Sequence, residues 1–389
     1  MHTLTISKGK EKFLDRRHPW IFSGAIASNT SQIDDGALVE VQDNHGNFYG
    51  IGFFQPGSIA VRLISIENVS IDQDFWNKKI ENAIQLRLGL GLINDENTIC
   101  RLVHGEGDGV PGLIVDFYNG VAVIQAHAVG IFRNIKFIVE ALKYALGDLL
   151  IAVYDKSAET LPARIDSVND YVFGRCPTPH LAKENGQPFS IDWVSGQKTG
   201  FFIDQRDNRS LLAKYSEGKR VLNTFCYSGG FSIYALNAGA TLVHSLDSSK
   251  KAIELVERNL AHNAHAGKHE SIVADAVKYM NELGEAYDLI VLDPPAFAKH
   301  MNKRHQAIKA YSRLNANAIR QIKPGGIIFT FSCSQVVDAF QFQKAVIAAA
   351  IECKRNVRIL HQLHQPADHP VSAFHPEGNY LKGLVIQVD

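Results

Sequence analysis

A cysteine and an aspartate each end an apolar run in the C-terminal half of the chain, and both side chains could take part in chemistry. Cys333 ends GGIIFTFSC, and Asp293 ends YDLIVLD and is followed by Pro294 and Pro295. A thiolate is a nucleophile, and an aspartate in a proline-stiffened loop can serve as an acid or base. The two runs are typical of adjacent parallel strands, so we expect both residues at one edge of a sheet. Cys333 could instead be a small buried packing residue.

Such a pair suits methylation of cytosine at C5, which is a weak carbon nucleophile. Addition of a thiolate to C6 turns the ring into an enamine, and C5 can then accept a methyl group. Loss of the C5 proton and elimination of the thiol release the product. The reaction needs a thiol, an acid near N3 or the amino group, and a methyl donor, so Cys333 and Asp293 are the predicted catalytic residues. The residue that accepts the C5 proton stays open.

The ends of the other predicted strands suggest a cofactor site. The glycine pair in FCYSGG, residues 225–230, allows a tight turn close to a ligand. Asp247 could bind ribose hydroxyls, and Asp275 could accept from an adenine amino group. Each acid alone is more often a helix N-cap, but three in succession after a glycine turn favour S-adenosylmethionine. The predicted contacts are Phe225, Tyr227, Ser228, Gly229, Asp247, Ser248, Asp275, Ala276 and Asp293.

The Asp-Pro-Pro loop is also expected to hold the substrate base. Pro294 and Pro295 would grip a flat ring, Phe297 could stack on it, and Lys299 begins a stretch, residues 294–337, without any acid. A second basic stretch is residues 8–17, with Lys8, Lys10, Lys12, Arg16 and Arg17. Either stretch could equally be a solvated face.

The elements that must position these residues follow from hydrophobic periodicity. From about residue 218, apolar runs alternate with helical segments, which predicts a doubly wound parallel sheet. Two further strands are predicted at NVRILHQL and KGLVIQV, and a hairpin turn at Asn185-Gly186. Residues 1–72 have the short strands of a small barrel, and residues 73–180 those of a compact α+β domain. The predicted domains are therefore 1–72, 73–180 and 181–389.

Composition sets limits on the function. The 40 basic and 40 acidic residues cancel, which argues against non-specific coating of nucleic acid. No apolar run reaches the roughly 20 residues of a membrane helix, so no membrane partner is expected. Five scattered cysteines predict neither a disulfide framework nor a zinc site, which indicates a reducing cytoplasm. The histidines of the C-terminal tail (361, 364, 369 and 375) lack ligand spacing, so no metal is expected.

The chain resembles the ribosomal RNA large-subunit methyltransferase I family, 5-methylcytosine enzymes acting on 23S rRNA. The resemblance covers nearly the full length. It rests on RRHPWIFSGAI, EGDGVPGLIVD, GQKTGFFIDQRDNR, NTFCYSGGFS, LDPPAF, SCS and HPEGNYLKG. It implies an α/β fold: an N-terminal PUA β-barrel, a small central α+β domain and a C-terminal Rossmann-like class I methyltransferase with a seven-stranded sheet.

The resemblance further implies S-adenosylmethionine as cofactor, Cys333 as nucleophile and 23S ribosomal RNA as partner. It places Gln205 and Arg206 in the cofactor pocket wall, implies RNA recognition by Arg16 and Arg17, and suggests a homodimer. Many 5-methylcytosine RNA enzymes carry a second cysteine, in Asp-Ala-Pro-Cys, that aids product release. Ala296 stands at that position here.

Other functions stay open on the residues alone. If Cys333 only packs, the Asp293-Pro294-Pro295 loop would suit an N-methyltransferase acting on adenine or guanine. An RNA-binding assembly factor with an inactive methyltransferase fold is disfavoured by the intact acids. A dehydrogenase is disfavoured because the chain has no dinucleotide fingerprint.

Overall fold

The computed structural model describes residues 1–11, 15–283 and 286–389, so Lys12 of the N-terminal basic stretch lies outside the described residues. The described chain forms two compact units. Unit 1 comprises Met1–Lys183, Ile191–Ile203 and Ala367–Gly378, and unit 2 comprises Glu184–Ser190, Asp204–Pro366 and Asn379–Asp389. The domain boundaries at residues 72 and 180 stay a prediction.

The N-terminal part of unit 1 is a five-stranded sheet. Its strands are β1 (His2–Thr5), β2 (Trp20–Phe22), β3 (Leu38–Gln42), β4 (Phe48–Phe54) and β5 (Ile59–Ser65). Their order in the sheet is β1-β3-β4-β5-β2. In β3, Val39 and Val41 are buried while their neighbours are partly exposed, which is the period of two expected of a sheet with one solvated face. This sheet confirms the small β domain predicted at the N-terminus.

Unit 1 also contains a second five-stranded sheet and, among its described residues, three α-helices. The strands are β6 (Ile99–His104), β7 (Leu113–Tyr118), β8 (Val121–Ala126), β9 (Ala152–Asp155) and β10 (Asp170–Phe173). Their order is β10-β9-β8-β7-β6. The helices are α1 (Gln73–Gly89), α2 (Val129–Arg133) and α3 (Ile135–Leu146). Trp76 of α1, Leu113 of β7 and Leu142 of α3 share one buried apolar cluster, which confirms the predicted α+β fold of this part.

One predicted helix of unit 1 is interrupted. The sequence predicts a continuous helix from Gly130 to Leu146, but α2 and α3 are separated at Asn134, whose φ and ψ are −102° and 9°. The Asn134 side-chain amide donates to the Gly130 carbonyl at 2.7 Å. An asparagine side chain that bonds to nearby backbone competes with helical hydrogen bonding, and this accounts for the break.

The motif EGDGVPGLIVD supplies two buried ion pairs of unit 1. Asp108 accepts hydrogen bonds from both terminal nitrogens of the fully buried Arg87, at 2.5 and 2.8 Å. Asp116 accepts two hydrogen bonds from Arg101, one from Nε at 2.7 Å and one from a terminal nitrogen at 2.9 Å. Removing one partner of such a pair leaves an uncompensated buried charge, so these acids of the motif have a structural role.

The predicted hairpin is present. Strands β11 (His180–Glu184) and β12 (Gln187–Ile191) form a two-stranded sheet. Asn185 and Gly186 between them both have positive φ, 48° and 77°. Two-residue hairpin loops favour this left-handed pair because its twist matches that of the strands.

Unit 2 is built on a seven-stranded sheet. Its strands are β13 (Arg220–Thr224), β14 (Leu242–Asp247), β15 (Lys268–Val273), β16 (Leu289–Leu292), β17 (Gly326–Ser332), β18 (Val357–Leu363) and β19 (Lys382–Val388). Their order is β15-β14-β13-β16-β17-β19-β18. The first five in this order are parallel, and β19 pairs antiparallel with both β17 and β18. The predicted doubly wound sheet and its two C-terminal strands are therefore confirmed.

Six α-helices accompany this sheet in the part of unit 2 that the structure describes. They are α4 (Arg206–Ala213), α5 (Gly230–Asn237), α6 (Lys250–Ala261), α7 (Ala276–Tyr279), α8 (Arg304–Gln321) and α9 (Ala339–Cys353). The sequence predicts a longer helix from Ala276 to Gly284, but α7 passes into a short 3₁₀ segment, Met280–Glu282, and Gly284 lies outside the described residues.

Consecutive residues of the central strands enter different apolar clusters. Leu222 and Ile290 pack with residues of α8 and α9, whereas Val221 and Val291 pack with residues of α4 and α5. A sheet buried on both faces requires such nearly continuous apolar strands. The sheet reverses its strand order beside β13, which lies between β14 and β16, and ligands of such folds bind at the carboxyl ends of the strands beside this point. In the described part of the chain, no helix is long and apolar enough to cross a membrane.

Candidate active site at the carboxyl edge of the sheet

Asp293 lies immediately beyond β16, on the carboxyl edge of the unit 2 sheet. Its Oδ2 accepts a hydrogen bond from Gln205 Nε2 at 3.1 Å. The buried Asn208 donates from Nδ2 to Gln205 Oε1 at 2.6 Å and therefore fixes which end of the Gln205 amide faces the carboxylate. The family resemblance implies that Gln205 is part of the cofactor pocket wall, and the structure brings it directly to Asp293.

The environment of Asp293 disfavours its charged form. Burial raises the pKa of Asp293 to about 7, and the nearby Asp204 carboxylate adds to this increase, while the Gln205 hydrogen bond and the charge of Arg209 oppose it. A carboxyl group with a pKa near neutrality can donate a proton in one step and accept one in another.

Cys333 follows β17 directly and is partly buried. Strands β16 and β17 are parallel neighbours in which Leu292 pairs with Thr330, so Cys333 and Asp293 lie on the same edge of the sheet. Burial, together with the negative charges of Cys333 and Asp293, raises the pKa of Tyr311 to about 12. The charges of both candidate catalytic groups therefore affect the pKa of the Tyr311 hydroxyl. The pairing of β16 with β17 agrees with the predicted shared edge.

A buried lysine at this edge is absent from the sequence-based prediction. Lys382 begins β19 and pairs with Ser332, the residue before Cys333. Its Nζ donates to the carbonyls of Ser334 and Tyr380, both at 2.6 Å. The available sequence signal was a lysine opening the apolar run KGLVIQV, but its position depends on the antiparallel direction of that strand.

The turn after β13 has an unusual backbone. Phe225, Tyr227 and Gly229 all have positive φ, of 55°, 46° and 79°. A Cβ at Gly229 would lie 3.1 Å from Val256 Cγ1, and one at Gly230 would lie 2.9 Å from Arg209 Cδ. The space beside both glycines is therefore filled by protein, and internal packing demands glycine there. The buried Ser228 lies in the same turn.

The acids at the ends of β14 and β15 have different partners. Asp247 is partly buried, and its two carboxylate oxygens accept from the backbone N–H groups of Tyr227, at 3.1 Å, and Ser249, at 2.9 Å. Asp275 is exposed and caps α7 by accepting from Lys278 N at 2.9 Å. Asp275 therefore has the N-cap role that single acids before helices usually have. Ser248 is exposed, and Ala276 is buried.

The loop after Asp293 is only partly accessible. Pro294 is buried, whereas Pro295 and Lys299 are exposed. The Phe297 ring packs against Tyr311, with ring centroids 4.7 Å apart, so one side of Phe297 is already in use. Ser334 Oγ donates to the Ala298 carbonyl at 2.8 Å and thereby joins this loop to the turn that follows Cys333.

Three further predicted contacts are arginines, one in unit 2 and two in unit 1. Arg206 of unit 2 is buried. Arg16 and Arg17 of unit 1 are exposed, and the Arg17 guanidinium lies over the Phe374 ring, 5.9 Å from its centroid. Exposed cations and aromatic rings are the groups that bind phosphates and bases.

All five cysteines lie in described segments and are thiols. Burial raises the pKa of Cys226 well above its ordinary value, with the Asp247 charge adding to the increase. Burial also raises the pKa of Cys353. A raised pKa disfavours the reactive thiolate, which favours a packing role for both side chains.

A histidine cluster in unit 1 offers ligand atoms of the kind that metals bind. One nitrogen each of His18 and His375 and an oxygen of Glu377 all lie within 4.8 Å of one another. His375 is 4 % exposed, and neither of its ring nitrogens has a hydrogen-bond partner among the described residues. The ring instead packs edge-on against Trp20, with centroids 4.4 Å apart. Burial lowers the pKa of His375, against the charges of Glu106 and Glu377, so the ring is neutral at pH 7.

Comparison with known proteins agrees with the two kinds of fold in the chain, the N-terminal β domain and the C-terminal doubly wound sheet. Residues 4–66 match the family model of a PUA-like domain, and residues 100–373 match that of an S-adenosylmethionine-dependent methyltransferase. Two solved structures share the fold across the full length of both chains, each with a TM-score of 0.86. One is a candidate S-adenosylmethionine-dependent methyltransferase from Streptococcus mutans, 24 % identical, and the other is a candidate methyltransferase complexed with S-adenosylhomocysteine, 23 % identical.

The fold and the family model together define an S-adenosylmethionine-dependent methyltransferase. The protein named ribosomal RNA large subunit methyltransferase I is 37 % identical in Shewanella denitrificans and 36 % identical in Erwinia tasmaniensis, each over 99 % of both chains. The chain belongs to the ribosomal RNA large subunit methyltransferase I family.

The raised pKa of Asp293 predicts a pH-dependent effect of Asp293→Asn. An ordinary unfolded carboxyl group titrates near about 4, whereas Asp293 in the folded protein titrates at about 7. The folded protein therefore binds the extra proton between these values, and its stability falls as the pH rises through this window. The asparagine variant lacks this penalty, so its melting temperature relative to wild type should rise from about pH 5 to about pH 7 and then level off.

The melting temperatures are measured by calorimetry across this pH range, and Asp288→Asn is the matched control. Burial of Asp288 is outweighed by hydrogen bonds from Arg220 N and Lys323 Nζ, which lower its pKa. Its contribution to stability is therefore complete above pH 5, and the control should differ from wild type by a constant amount across the series. A constant difference for Asp293→Asn as well would mean that Asp293 titrates normally.

The ring nitrogens of the neutral His375 have no hydrogen-bond partner among the described residues, which predicts that His375→Phe is tolerated. Replacing a buried group without hydrogen bonds by an apolar ring of similar shape should leave the free energy of unfolding unchanged or raise it by about 1 kcal/mol. His18→Phe should instead destabilise unit 1, because His18 Nδ1 accepts from Trp20 N at 3.1 Å. Urea denaturation checks both variants. Thermal stabilisation of wild type by Zn²⁺ that His375→Phe lacks would show that the ring is a metal ligand instead.

Proposed function

We propose that the protein forms 5-methylcytidine in 23S ribosomal RNA, with Cys333 as the nucleophile and Asp293 as the acid. The observation that carries this proposal is the shared edge of β16 and β17, which holds a partly buried thiol and a carboxyl group with a raised pKa. The charges of both groups contribute to the raised pKa of Tyr311. The names of the relatives, ribosomal RNA large subunit methyltransferase I, support the RNA substrate.

In the proposed reaction, the Cys333 thiolate adds to C6 of cytosine. The C5–C6 double bond gives up its electron pair, and negative charge develops on C5 and N3. Because the pKa of Asp293 is about 7, a substantial fraction of the carboxyl groups is protonated at neutral pH and can donate a hydrogen bond to N3. S-adenosylmethionine, when bound, supplies an electrophilic methyl group, which C5 acquires.

Product release requires removal of the C5 proton and expulsion of the thiolate from C6. Ala296 cannot help, since it has no ionisable group. Asp293 in its carboxylate form is the candidate proton acceptor, because a pKa near neutrality suits both donation and acceptance. The Gln205 hydrogen bond would hold the carboxylate in place during both steps.

The residues beyond β13, β14 and β15 fit S-adenosylmethionine. Each Asp247 oxygen accepts one described backbone bond, and carboxylate oxygens have further lone pairs to accept from ribose hydroxyls. The proposed cofactor contacts are Gln205, Arg206, Phe225, Tyr227, Ser228, Gly229, Asp247, Ser248, Asp275, Ala276 and Asp293. Asp275 lines an open depression with Ala274, Lys278, Tyr279 and Glu282, which could receive the adenine ring.

The proposed RNA contacts are Pro294, Pro295, Phe297 and Lys299 around the target base and Arg16 and Arg17 in unit 1. Support comes from the exposure of Pro295, Lys299 and both arginines. A base within folded RNA must be unstacked to enter such a pocket. The cytoplasmic location indicated by the scattered cysteines and the homodimer implied by the family resemblance are part of the same proposal.

The competing function is N-methylation of an rRNA guanine or adenine by the Asp-Pro-Pro loop. To distinguish the two, purified protein is incubated with labelled S-adenosylmethionine and unmodified 23S rRNA, and the digested nucleosides are identified. We expect labelled 5-methylcytidine, and we expect Cys333→Ser to slow its formation by about 10³-fold or more, because a hydroxyl is a far weaker nucleophile.

Cys353→Ser is the matched control and should retain activity, since Cys353 ends α9 and its thiol donates to the Ala316 carbonyl. Labelled methylguanosine or methyladenosine that persists in Cys333→Ser would overturn the carbon-methylation proposal and favour the N-methyltransferase.

A further inference from the structure

Lys382 occupies a special position in the unit 2 sheet. Because β19 runs antiparallel to β17, the first residue of β19 lies at the edge where β17 ends, and Lys382 pairs with Ser332. Cys333 is the next residue along the chain. Strand pairing thus brings the lysine close to the candidate nucleophile. The lysine bonds to the carbonyl of Ser334, which lies 48 positions earlier in the sequence.

The Lys382 ammonium is almost removed from solvent, and it forms no ion pair with a carboxylate in the described part of the chain. The residue is 8 % exposed, and two of its three donors are used by the carbonyls of Ser334 and Tyr380. Within the described ranges, no carboxylate oxygen forms an ion pair with its Nζ. A buried ammonium without a paired anion is costly, and its retention here calls for an anionic partner.

Two negatively charged groups act on Lys382, and strand pairing favours Cys333 as the partner because Cys333 directly follows Ser332, the residue paired with the lysine. Burial lowers the pKa of Lys382 to about 8, and the negative charges of Cys333 and Asp338 oppose this decrease. The interaction is reciprocal, since a thiolate that favours the ammonium is itself favoured by it. The groups that face this pair are Cys333 after β17, Asp338 before α9, the Ser334 and Tyr380 carbonyls, Tyr311 of α8 and Asp293 after β16.

The acid-free stretch is a weaker source of positive charge. Lys299 and Arg313 are exposed. Arg320 binds Glu352 at 3.0 Å, and Lys323 binds Asp288 at 3.0 Å. Exposed charges are screened by solvent and salt, whereas a buried charge beside the thiol is not.

We propose that Lys382 is a positioning residue that holds Cys333 as a thiolate and, through its bond to the Ser334 carbonyl, fixes the turn that carries the thiol. The proposal deepens the proposed function, because it explains how Cys333 becomes nucleophilic.

The test measures thiol chemistry without RNA. Wild type, Lys382→Met and Lys382→Arg are treated with iodoacetamide at a series of pH values, and alkylation of the Cys333 peptide is quantified by mass spectrometry. Loss of the ammonium should move the midpoint of the Cys333 pH–rate profile upward by about one unit or more. Lys382→Arg keeps the charge and should retain a midpoint close to that of wild type.

Two controls separate electrostatics from misfolding. Cys353 in the same samples should keep its profile in every variant, and Lys344→Met, which removes a lysine that lies over the Phe340 ring, should leave Cys333 unchanged. If Lys382→Met does not fold, Lys382→Gln supplies a neutral side chain that can still donate to the Ser334 carbonyl.

An unshifted Cys333 profile in a folded neutral variant would overturn the Lys382 proposal. This result is independent of the methylation product, because the alkylation reads only the lysine–thiol pair. A shifted profile together with a product other than 5-methylcytidine would instead keep the pair and reject Cys333 as the nucleophile.

Discussion

The hydrogen-bonding register of β16, β17 and β19 is the constraint on which the candidate site depends. Leu292 pairs with Thr330 in the parallel pair, and Ser332 pairs with Lys382 in the antiparallel pair. These pairings bring a carboxyl group, a thiol and an ammonium from three distant parts of the chain to one edge. A shift of one residue in either pairing would turn the neighbouring side chains to the opposite face of the sheet. The apolar clusters on both faces therefore protect the site by fixing the register.

Desolvation shifts the pKa values of the carboxyl group and of the ammonium group at this edge in opposite directions. It raises the pKa of Asp293 to about 7 and lowers that of Lys382 to about 8, so both groups titrate close to neutral pH. Shifts of this size are typical of groups with a chemical task. Cys226 shows the contrast, because burial beside Asp247 raises its pKa and keeps it a thiol. Under the proposal, Cys333 differs from Cys226 because it lies beside the Lys382 ammonium rather than beside a carboxylate.

Local sequence signals predicted most helices, strands and turns, whereas pairing between distant strands determined the position of residues such as Lys382. Asn185-Gly186 predicted its hairpin because the left-handed turn is a property of those two residues. The strands of the C-terminal half were predictable because their apolar runs are buried on both faces. The break at Asn134 was missed because helical periodicity continues across it, although a single side-chain hydrogen bond ends the helix. Lys382 was missed because its role depends on which strand β19 joins and in which direction.

The site residues divide in the same way. Asp293 and Cys333 could be paired in advance, because the ends of adjacent parallel strands share an edge. The glycines after β13 could be predicted as a tight turn, but their packing against Val256 and Arg209 depends on helices that the turn itself does not specify. The coupling of Asn208, Gln205 and Asp293 likewise joins the start of α4 to the end of β16.

The most direct test of the central claim is to trap the covalent adduct on Cys333. Fluorine at C5 of cytosine cannot leave as a proton, so the thiol cannot be expelled after methyl transfer. The protein is incubated with S-adenosylmethionine and rRNA containing 5-fluorocytidine, and its peptides are analysed by mass spectrometry after nuclease digestion. The account predicts a methylated 5-fluorocytidine nucleotide attached to Cys333 only when S-adenosylmethionine is present. An adduct on another cysteine, or unmodified Cys333 while the natural rRNA is being methylated, would contradict it.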